Sequence, residues 1–149
     1  MKNTFFISLL LLTVSFGYSQ ENCAVTFAEL SQKIAKEPRP IVIKMYTGWC
    51  AVCKLQDRQI DKNKDLKRLL GENYYYIEFN AESREAIRFN DKEYKFVPHG
   101  TGGIHALAAE LSDAKGSYPA WIILSSDYEI QSAYYGLLKA QELITALSR

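Results

Sequence analysis

Residues 41–54 read IVIKMYTGWCAVCK, and this stretch decides the fold. Its first six residues are mostly apolar and rich in β-branched side chains, which predicts a buried central strand despite the unexpected Lys44. Cys50 and Cys53 follow directly, and from Cys50 onward the pattern becomes helical. The stretch therefore predicts a strand that leads straight into a helix with a C-x-x-C pair at its start.

The residues after this stretch predict a parallel strand pair. Leu66, Leu69 and Leu70 indicate a second helical piece, which we expect Gly71 to close. Residues 74–79 are aromatic and β-branched enough for another central strand. The first half of the chain is thus β-α-β, for which a right-handed crossover is expected.

The other predicted elements are assigned from spacing and turn residues. Thr26 and Glu29 form a possible capping box for a first helix, and residues 87–97 resemble a small hairpin. We interpret 83–111 as an insertion where partner selectivity could lie. The remaining elements are a helix stripe from Ile104 to Leu111, a strand at 120–124, an antiparallel strand at 130–135 and a final helix with Ala140, Leu143, Ile144 and Leu147 on one side.

Length and composition indicate one globular domain with no general affinity for nucleic acid. The chain has 149 residues, of which 48% are hydrophobic and 23% charged. Single domains commonly have about 100–150 residues, so a second catalytic domain would not fit. Lys and Arg (18) nearly balance Asp and Glu (17), for a net charge of +1. Such a balance gives no field to attract phosphate backbones.

The N-terminus has the pattern of a secretory signal peptide. Lys2 precedes an apolar run from Phe5 to Val14, and the small residues Gly17 and Ser19 favour cleavage before Gln20. A membrane anchor is the alternative, but a spanning helix needs roughly 20 apolar residues. We expect a signal peptide at 1–19, a single domain at 20–149 and a periplasmic or secreted location.

If the chain is exported, its cysteines are expected to take part in disulfide chemistry, because disulfides persist in oxidising compartments. A helix start would lower the pKa of the Cys50 thiol from its free value of about 8.5, since unpaired N–H groups there favour an anion. Cys53, one turn deeper, would attack second. We interpret Cys23, the odd cysteine, as an unpaired residue near the mature N-terminus.

A lone C-x-x-C is also compatible with a plain disulfide or half of a zinc site. No second C-x-x-C exists, although His99 and His105 are spaced within the range of a Cys₂His₂ site. For His105 we favour helix capping or surface exposure, and for the glycine-rich segment 100–103 a flexible loop. We predict no resident metal.

The strand–WCAVCK–helix stretch resembles the signature of the thioredoxin superfamily, and Ser117-Tyr118-Pro119-Ala120-Trp121 resembles its cis-proline loop and following strand. The resemblance covers about residues 25–148 and is closest to secreted bacterial thioredoxin-like proteins and the C-terminal domain of DsbD. It implies an α/β thioredoxin fold, in which a central mixed β-sheet is flanked by helices and a hairpin or loop segment is inserted before the cis-proline strand.

The resemblance also assigns roles within the site. It implies that Cys50 attacks substrate, Cys53 resolves the mixed disulfide, and Pro119 is cis and packs beside the pair. The Tyr118 backbone would pair with an extended substrate segment. Trp49 would form an apolar wall against the disulfide.

Lys44 departs from the family pattern, in which an acidic residue precedes the first cysteine by six positions. The family often has a lysine on the neighbouring strand, where this chain has Glu78. We hypothesise that Lys44 and Glu78 form an ion pair beneath the site and that Glu78 relays a proton. The alternative is that Lys44 extends outward and neither residue affects catalysis.

The resulting prediction is an exported thiol–disulfide oxidoreductase that needs no cofactor beyond its own Cys50–Cys53 disulfide. It would act as a monomer on disulfides of exported proteins, supplied with electrons by a membrane donor of the DsbD type. A thiol oxidant and a non-enzymatic, metallochaperone-like module that binds soft metal are the alternatives.

Overall fold

The computed structural model describes residues 23–112 and 116–148, and the predicted signal peptide lies outside them. Within these ranges the helices are α1 Phe27–Lys36, α2 Ala51–Lys62, α3 Lys64–Asn73, α4 Ala106–Leu111 and α5 Ala140–Leu147. The strands are β1 Ile41–Tyr46, β2 Tyr75–Asn80, β3 Ile87–Phe89, β4 Lys92–Tyr94, β5 Phe96–His99, β6 Gly102–His105, β7 Ala120–Leu124 and β8 Ile130–Tyr135.

A four-stranded mixed sheet in the order β2-β1-β7-β8 forms the centre of the domain. β1 is parallel to β2, and the β1–β7 and β7–β8 pairs are antiparallel. β3–β4 and β5–β6 are separate hairpins between β2 and β7. The mixed sheet, its flanking helices and the insertion agree with the predicted architecture.

The sheet separates two hydrophobic cores. Ile41, Ile43 and Met45 of β1 face the core that includes Leu30 of α1 and Leu107 of α4. Val42, the next residue along β1, instead packs with residues of α2, α3 and α5. Because side chains alternate along a strand, Lys44 shares the face of Val42. The lysine therefore points to the layer that contains α2.

Local sequence signals explain several of these boundaries. The predicted capping box of α1 is present: the Glu29 amide donates to Thr26 Oγ1 at 3.3 Å, and the Thr26 amide donates to Glu29 Oε2 at 2.8 Å. Asn90 and Asp91 both have positive φ, at 47° and 60°. These angles fit the tight turn of the predicted β3–β4 hairpin.

Two boundaries near glycines were predicted wrongly. Gly71 does not end its helix, because α3 continues to Asn73. A Cβ at Gly71 would lie 3.1 Å from Cys23 Cβ, so the glycine permits the segment before α1 to approach α3. The segment expected to be a flexible loop is the β5–β6 hairpin, and Ile104 belongs to β6 instead of a helix. There the missing Gly103 side chain leaves room for the Phe96 ring.

Candidate active site

The cysteine pair lies where β1 passes into α2. β1 ends at Tyr46, and the Cys50 amide donates to the Thr47 carbonyl at 3.2 Å, which closes the turn. Cys50 is the N-cap of α2, with extended φ and ψ of −74° and 96°. The predicted strand-to-helix connection is therefore present.

Cys50 and Cys53 form a disulfide, with their Cα atoms 5.3 Å apart. Cys50 Sγ also accepts a hydrogen bond from the Cys53 amide at 3.1 Å. Both residues are buried, at 5% and 2% exposure. An N–H donor and the positive end of the α2 dipole both act on Cys50 Sγ, and each would stabilise a thiolate there.

Pro119 has the cis peptide bond that the resemblance implies, formed with Tyr118. In the register of β1 with β7, Met45 is opposite Ala120, so Pro119 comes next to the end of β1 from which the cysteine turn leaves. The Pro119 carbonyl accepts from the Gly136 amide at 2.8 Å, which ties it to the end of β8. The cysteine turn and the cis-proline thus lie at the same end of the sheet.

Trp49 is 70% exposed, and its indole Nε1 donates to Glu82 Oε1 at 3.0 Å. Glu82 follows β2 and was not singled out by the sequence analysis. Burial, followed by the negative charge of Glu82, raises the pKa of the Tyr118 hydroxyl. Trp49 and Glu82 are thus hydrogen-bonded to each other, and the charge of Glu82 acts on the Tyr118 hydroxyl. The predicted contact of Trp49 with the disulfide stays a prediction.

Lys44 lies beneath this region at 2% exposure and forms the predicted ion pair: its Nζ donates to Glu78 Oε1 at 2.6 Å. The two residues face each other across β1 and β2. Lys44 Nζ also donates to Asp57 of α2, a partner that the sequence analysis missed. The Lys44 chain does not extend into solvent, and one buried ammonium group joins two partly exposed carboxylates.

The Tyr76 hydroxyl extends this network by donating to Glu78 Oε1 at 2.9 Å. Tyr76 is almost fully buried, and its burial together with the nearby Glu78 carboxylate holds the pKa of the phenol well above its usual value. Tyr76 is therefore a neutral donor at any physiological pH. It helps to hold Glu78 beside Lys44.

Neither a protein-family model nor a curated protein matches the chain. Several solved structures have a similar fold. A thioredoxin-fold protein from Helicobacter pylori has 9% identity and a TM-score of 0.55, with 87% of this chain and 73% of that chain covered. For a disulphide isomerase from Xylella fastidiosa the identity is 15% and the TM-score 0.51, with 91% and 96% covered. The reduced DsbD C-terminal domain of Neisseria meningitidis has 17% identity and a TM-score of 0.51, with 81% and 90% covered.

The chain has a thioredoxin fold. The low identities establish the shared architecture and leave the chemistry to be argued from the residues of this chain. Within the thioredoxin fold, the cysteine turn, the cis-proline and the Lys44–Glu78 pair occupy the places that the sequence indicated. Asp57 and Glu82 are the additions. Spacing gave a signal only for Asp57, which follows Cys53 by four residues and so shares its helix face.

The third cysteine of this thioredoxin-fold chain lies beside the edge strand β2. Cys23 is partly buried and has no disulfide partner among the described residues. Next to it, the Val25 amide donates to the Tyr76 carbonyl at 2.7 Å. Burial raises the pKa of the Cys23 thiol above its usual value. The thiol is thus predominantly protonated at neutral pH, which lowers its reactivity.

His105 caps α4 and is fully buried, so the expected capping role is confirmed and the alternative of surface exposure is wrong. Its Nδ1 accepts from the Leu107 amide at 3.2 Å, and its Nε2 lies 3.0 Å from the Glu85 carbonyl oxygen. His99 is exposed on β5. The described residues contain no group of three or more His, Cys, Asp or Glu side chains arranged to hold a metal.

No helix within 23–112 and 116–148 combines the length and apolar character needed to cross a membrane.

Proposed function

We propose that the chain is a thiol–disulfide oxidoreductase that uses Cys50 to attack and Cys53 to resolve. The observation that carries the proposal is the position of Cys50 Sγ at the N-terminus of α2, bonded to Cys53 Sγ and 3.1 Å from the Cys53 amide nitrogen. The thiolate is the nucleophile in disulfide exchange. A donor and a helix dipole at this sulfur favour that form.

The reaction requires no group outside the protein and its substrate. The Cys50 thiolate attacks a substrate disulfide, forms a mixed disulfide and releases one substrate sulfur as thiolate. Cys53 then loses its proton and attacks Cys50 Sγ, which closes the protein disulfide and releases the second substrate sulfur. Two electrons pass from the protein dithiol to the substrate disulfide. The redox-active sulfur pair thus serves in place of a separate cofactor.

We propose that substrate lies against Trp49 and the main chain of Tyr118. The main chain of Tyr118, just before cis Pro119, is proposed to pair with an extended substrate segment in the manner of strand addition. The indole of Trp49, the residue before Cys50, is exposed and offers apolar surface to a substrate. Strand-addition recognition uses main-chain atoms and suits substrates of varied sequence.

We place this activity in the periplasm or outside the cell. The N-terminal sequence supports export, and the structural likeness to a DsbD C-terminal domain supports disulfide exchange with protein partners. The proposed substrates are disulfides of exported proteins. The proposed electron source is a membrane donor of the DsbD type, and the domain would work as a monomer.

Reduction is the proposed direction of electron flow. An oxidant would need a strongly stabilised Cys50 thiolate, and Ala51-Val52 between the cysteines adds no positive charge. Equilibration of the 20–149 domain with glutathione buffers measures its potential. A value near that of thioredoxin, about −270 mV, supports a reductase, and one near about −120 mV would make the chain an oxidant.

The activity test uses the Cys23→Ser protein as parent, because Cys23 lies outside the proposed chemistry. We expect this protein to reduce a protein disulfide catalytically with dithiothreitol as electron source. Cys50→Ser should abolish the catalysed rate, and Cys53→Ser should abolish turnover while it retains the first attack. A parent no faster than its Cys50→Ser variant would refute the proposal.

A further inference from the structure

The buried ammonium group of Lys44 joins α2, the helix that carries Cys53, to the edge strand β2. Asp57 belongs to the same helix as Cys53 and follows it by one turn, and Glu78 belongs to the edge strand β2. Residues four apart on a helix have Cβ atoms about 5–6 Å from each other. Since Lys44 Nζ hydrogen-bonds Asp57, the carboxylate is directed to the sheet-facing side of α2, where Cys53 is buried.

Several ionisable groups lie near the Lys44–Asp57 ion pair. Lys44 Nζ lies 5.9 Å and 6.0 Å from the ring centroids of Tyr46 and Tyr76. Cys23 and Glu78 act electrostatically on the Tyr76 hydroxyl, as does Asp57. Asp61, one turn further along α2, pairs with Lys67 of α3. The charged and titratable groups to consider are Lys44 and Tyr46 on β1, Tyr76 and Glu78 on β2, Cys50, Asp57 and Asp61 on or beside α2, Lys67 on α3, and Cys23.

We propose that Asp57 is the proton acceptor for the Cys53 thiol when Cys53 resolves the mixed disulfide. The proposal rests on the function proposed above and deepens its second step. Lys44 holds the Asp57 carboxylate beneath α2, and Glu78 adds a second negative charge beside the same ammonium group. The triad carries a net charge of −1, which suits a proton acceptor.

The structure favours Asp57 over Glu78 for this role. Glu78 Oε1 already accepts hydrogen bonds from Lys44 Nζ on β1 and from the Tyr76 hydroxyl on β2. These bonds hold the Glu78 carboxylate against the sheet. Asp57 lies on the helix that carries the thiol. Its side chain is 47% exposed and that of Glu78 is 40% exposed, so a proton can reach solvent from either carboxylate, and the position of Asp57 on α2 decides between them.

The proposed step balances in atoms and charge. The Cys53 S–H bond breaks, and the proton moves to the Asp57 carboxylate directly or through one water. The resulting Cys53 thiolate attacks Cys50 Sγ, and the bond between Cys50 and the substrate sulfur breaks. The substrate sulfur leaves as a thiolate, and Asp57 returns the proton to it or to solvent.

An aromatic disulfide dye that releases a coloured thiolate separates the two steps. Mixed with the reduced Cys23→Ser protein, it releases one coloured thiolate when Cys50 attacks. It releases a second when Cys53 resolves. The first phase depends on dye concentration and tests the proposed function, and the second is unimolecular and tests the role of Asp57. Stopped-flow absorbance over a range of pH gives both rates.

Asp57→Asn is expected to leave the first phase within about 3-fold and to slow the second by about 10-fold or more, since general base catalysis typically contributes about 10²–10⁴-fold. The second phase of the variant should also become proportional to hydroxide concentration. Loss of a nearby negative charge should make the Cys53 thiol ionise at lower pH, which thiolate absorbance measures in a Cys50→Ala background. A slower step despite a more acidic thiol distinguishes a proton acceptor from a charged neighbour.

Asp61→Asn is the matched control, the same change one turn further along α2, and both its phases should equal those of the parent. A second phase that Asp57→Asn leaves unchanged or accelerates would overturn the proposal. So would a Glu78→Gln variant slowed more than Asp57→Asn, which would assign the relay to Glu78. Absence of the first phase in the parent would instead refute the proposed function.

Discussion

Lys44 shows at the scale of one residue how a charge is kept in a core. Removal of a lone ammonium group from water is very costly, and one partner seldom compensates fully. Here two carboxylates from different elements reach the same Nζ, and both remain 40–47% exposed on their outer sides. The buried charge thus keeps partners that are themselves partly hydrated.

Removal of both carboxylates should destabilise the domain by more than the sum of the single changes. We expect Asp57→Asn and Glu78→Gln each to cost about 1 kcal/mol, because Lys44 retains one partner. The double variant should cost about 3–5 kcal/mol, since the ammonium group then lies buried and unpaired. Urea unfolding measures each value.

Addition of Lys44→Met to the double variant is the control for this prediction. It removes the unpaired charge and should restore about 2 kcal/mol or more. Strictly additive single and double changes, or no recovery with Lys44→Met, would contradict the account.

The sequence predicted the ion pair of Lys44 with Glu78 because strand pairing fixes which residues face each other. It did not predict Asp57, because that contact depends on how α2 is rotated over the sheet. Glu82 was missed for a similar reason, since only the path of the chain after β2 brings it to Trp49. Sequence alone therefore predicts which residues face each other across paired strands, but it does not predict which residues of a helix contact the sheet.

At the scale of elements, the β5–β6 hairpin depends on one missing side chain. A Cβ at Gly103 would lie 2.4 Å from both the Phe96 ring and the Val97 carbonyl oxygen. Arg84 covers the same ring, with its guanidinium carbon 4.6 Å from the ring centroid. The Phe96 ring therefore packs closely against both Gly103 and Arg84.

Gly103→Ala should destabilise the hairpin, because the Phe96 ring and the backbone must both move. Overpacking of this kind typically costs about 1–3 kcal/mol. Gly102→Ala is the matched control, since nothing lies within 4 Å of a Cβ there, and it should stay within about 0.5 kcal/mol of the parent. Urea unfolding and amide exchange across 96–105 measure both. Equal effects of the two alanines would show that the Phe96 contact is unimportant.

The hairpin also marks where sequence reasoning failed for elements. Regular strands and helices were recognised from apolar periodicity, and the β3–β4 turn from its Asn-Asp pair. β5 and β6 contain Pro98 and two glycines, residues that weaken a strand pattern. Their pairing comes from packing against neighbours, which composition does not encode.

At the scale of the whole molecule, the core between the sheet and the helices α2, α3 and α5 buries groups that resist ionisation. Folding raises the pKa of the Tyr76 phenol well above its usual value and raises that of the Cys23 thiol. In both cases burial is the main cause. The folded state therefore holds these protons to higher pH than the unfolded chain does.

Stability should fall in alkali as a consequence. The contribution of each group is complete below its unfolded pKa and is lost as pH rises from about 9 for Cys23 and about 10 for Tyr76. Urea unfolding from about pH 8 to about pH 10.5 measures the loss. Cys23→Ala should reduce the part between about pH 9 and 10. A stability that is flat or rises over this range would contradict the burial described here.

The most direct test of the central claim is the mass of the reduced Cys23→Ser/Cys53→Ser protein after reaction with a peptide that contains a disulfide. We predict a stable mixed disulfide with one peptide chain, mapped by proteolysis to Cys50, and no adduct on a matched Cys23→Ser/Cys50→Ser protein. An adduct that forms equally on Cys53 when Cys50 is absent, or none on Cys50, would contradict the assignment of Cys50 as the attacking thiol.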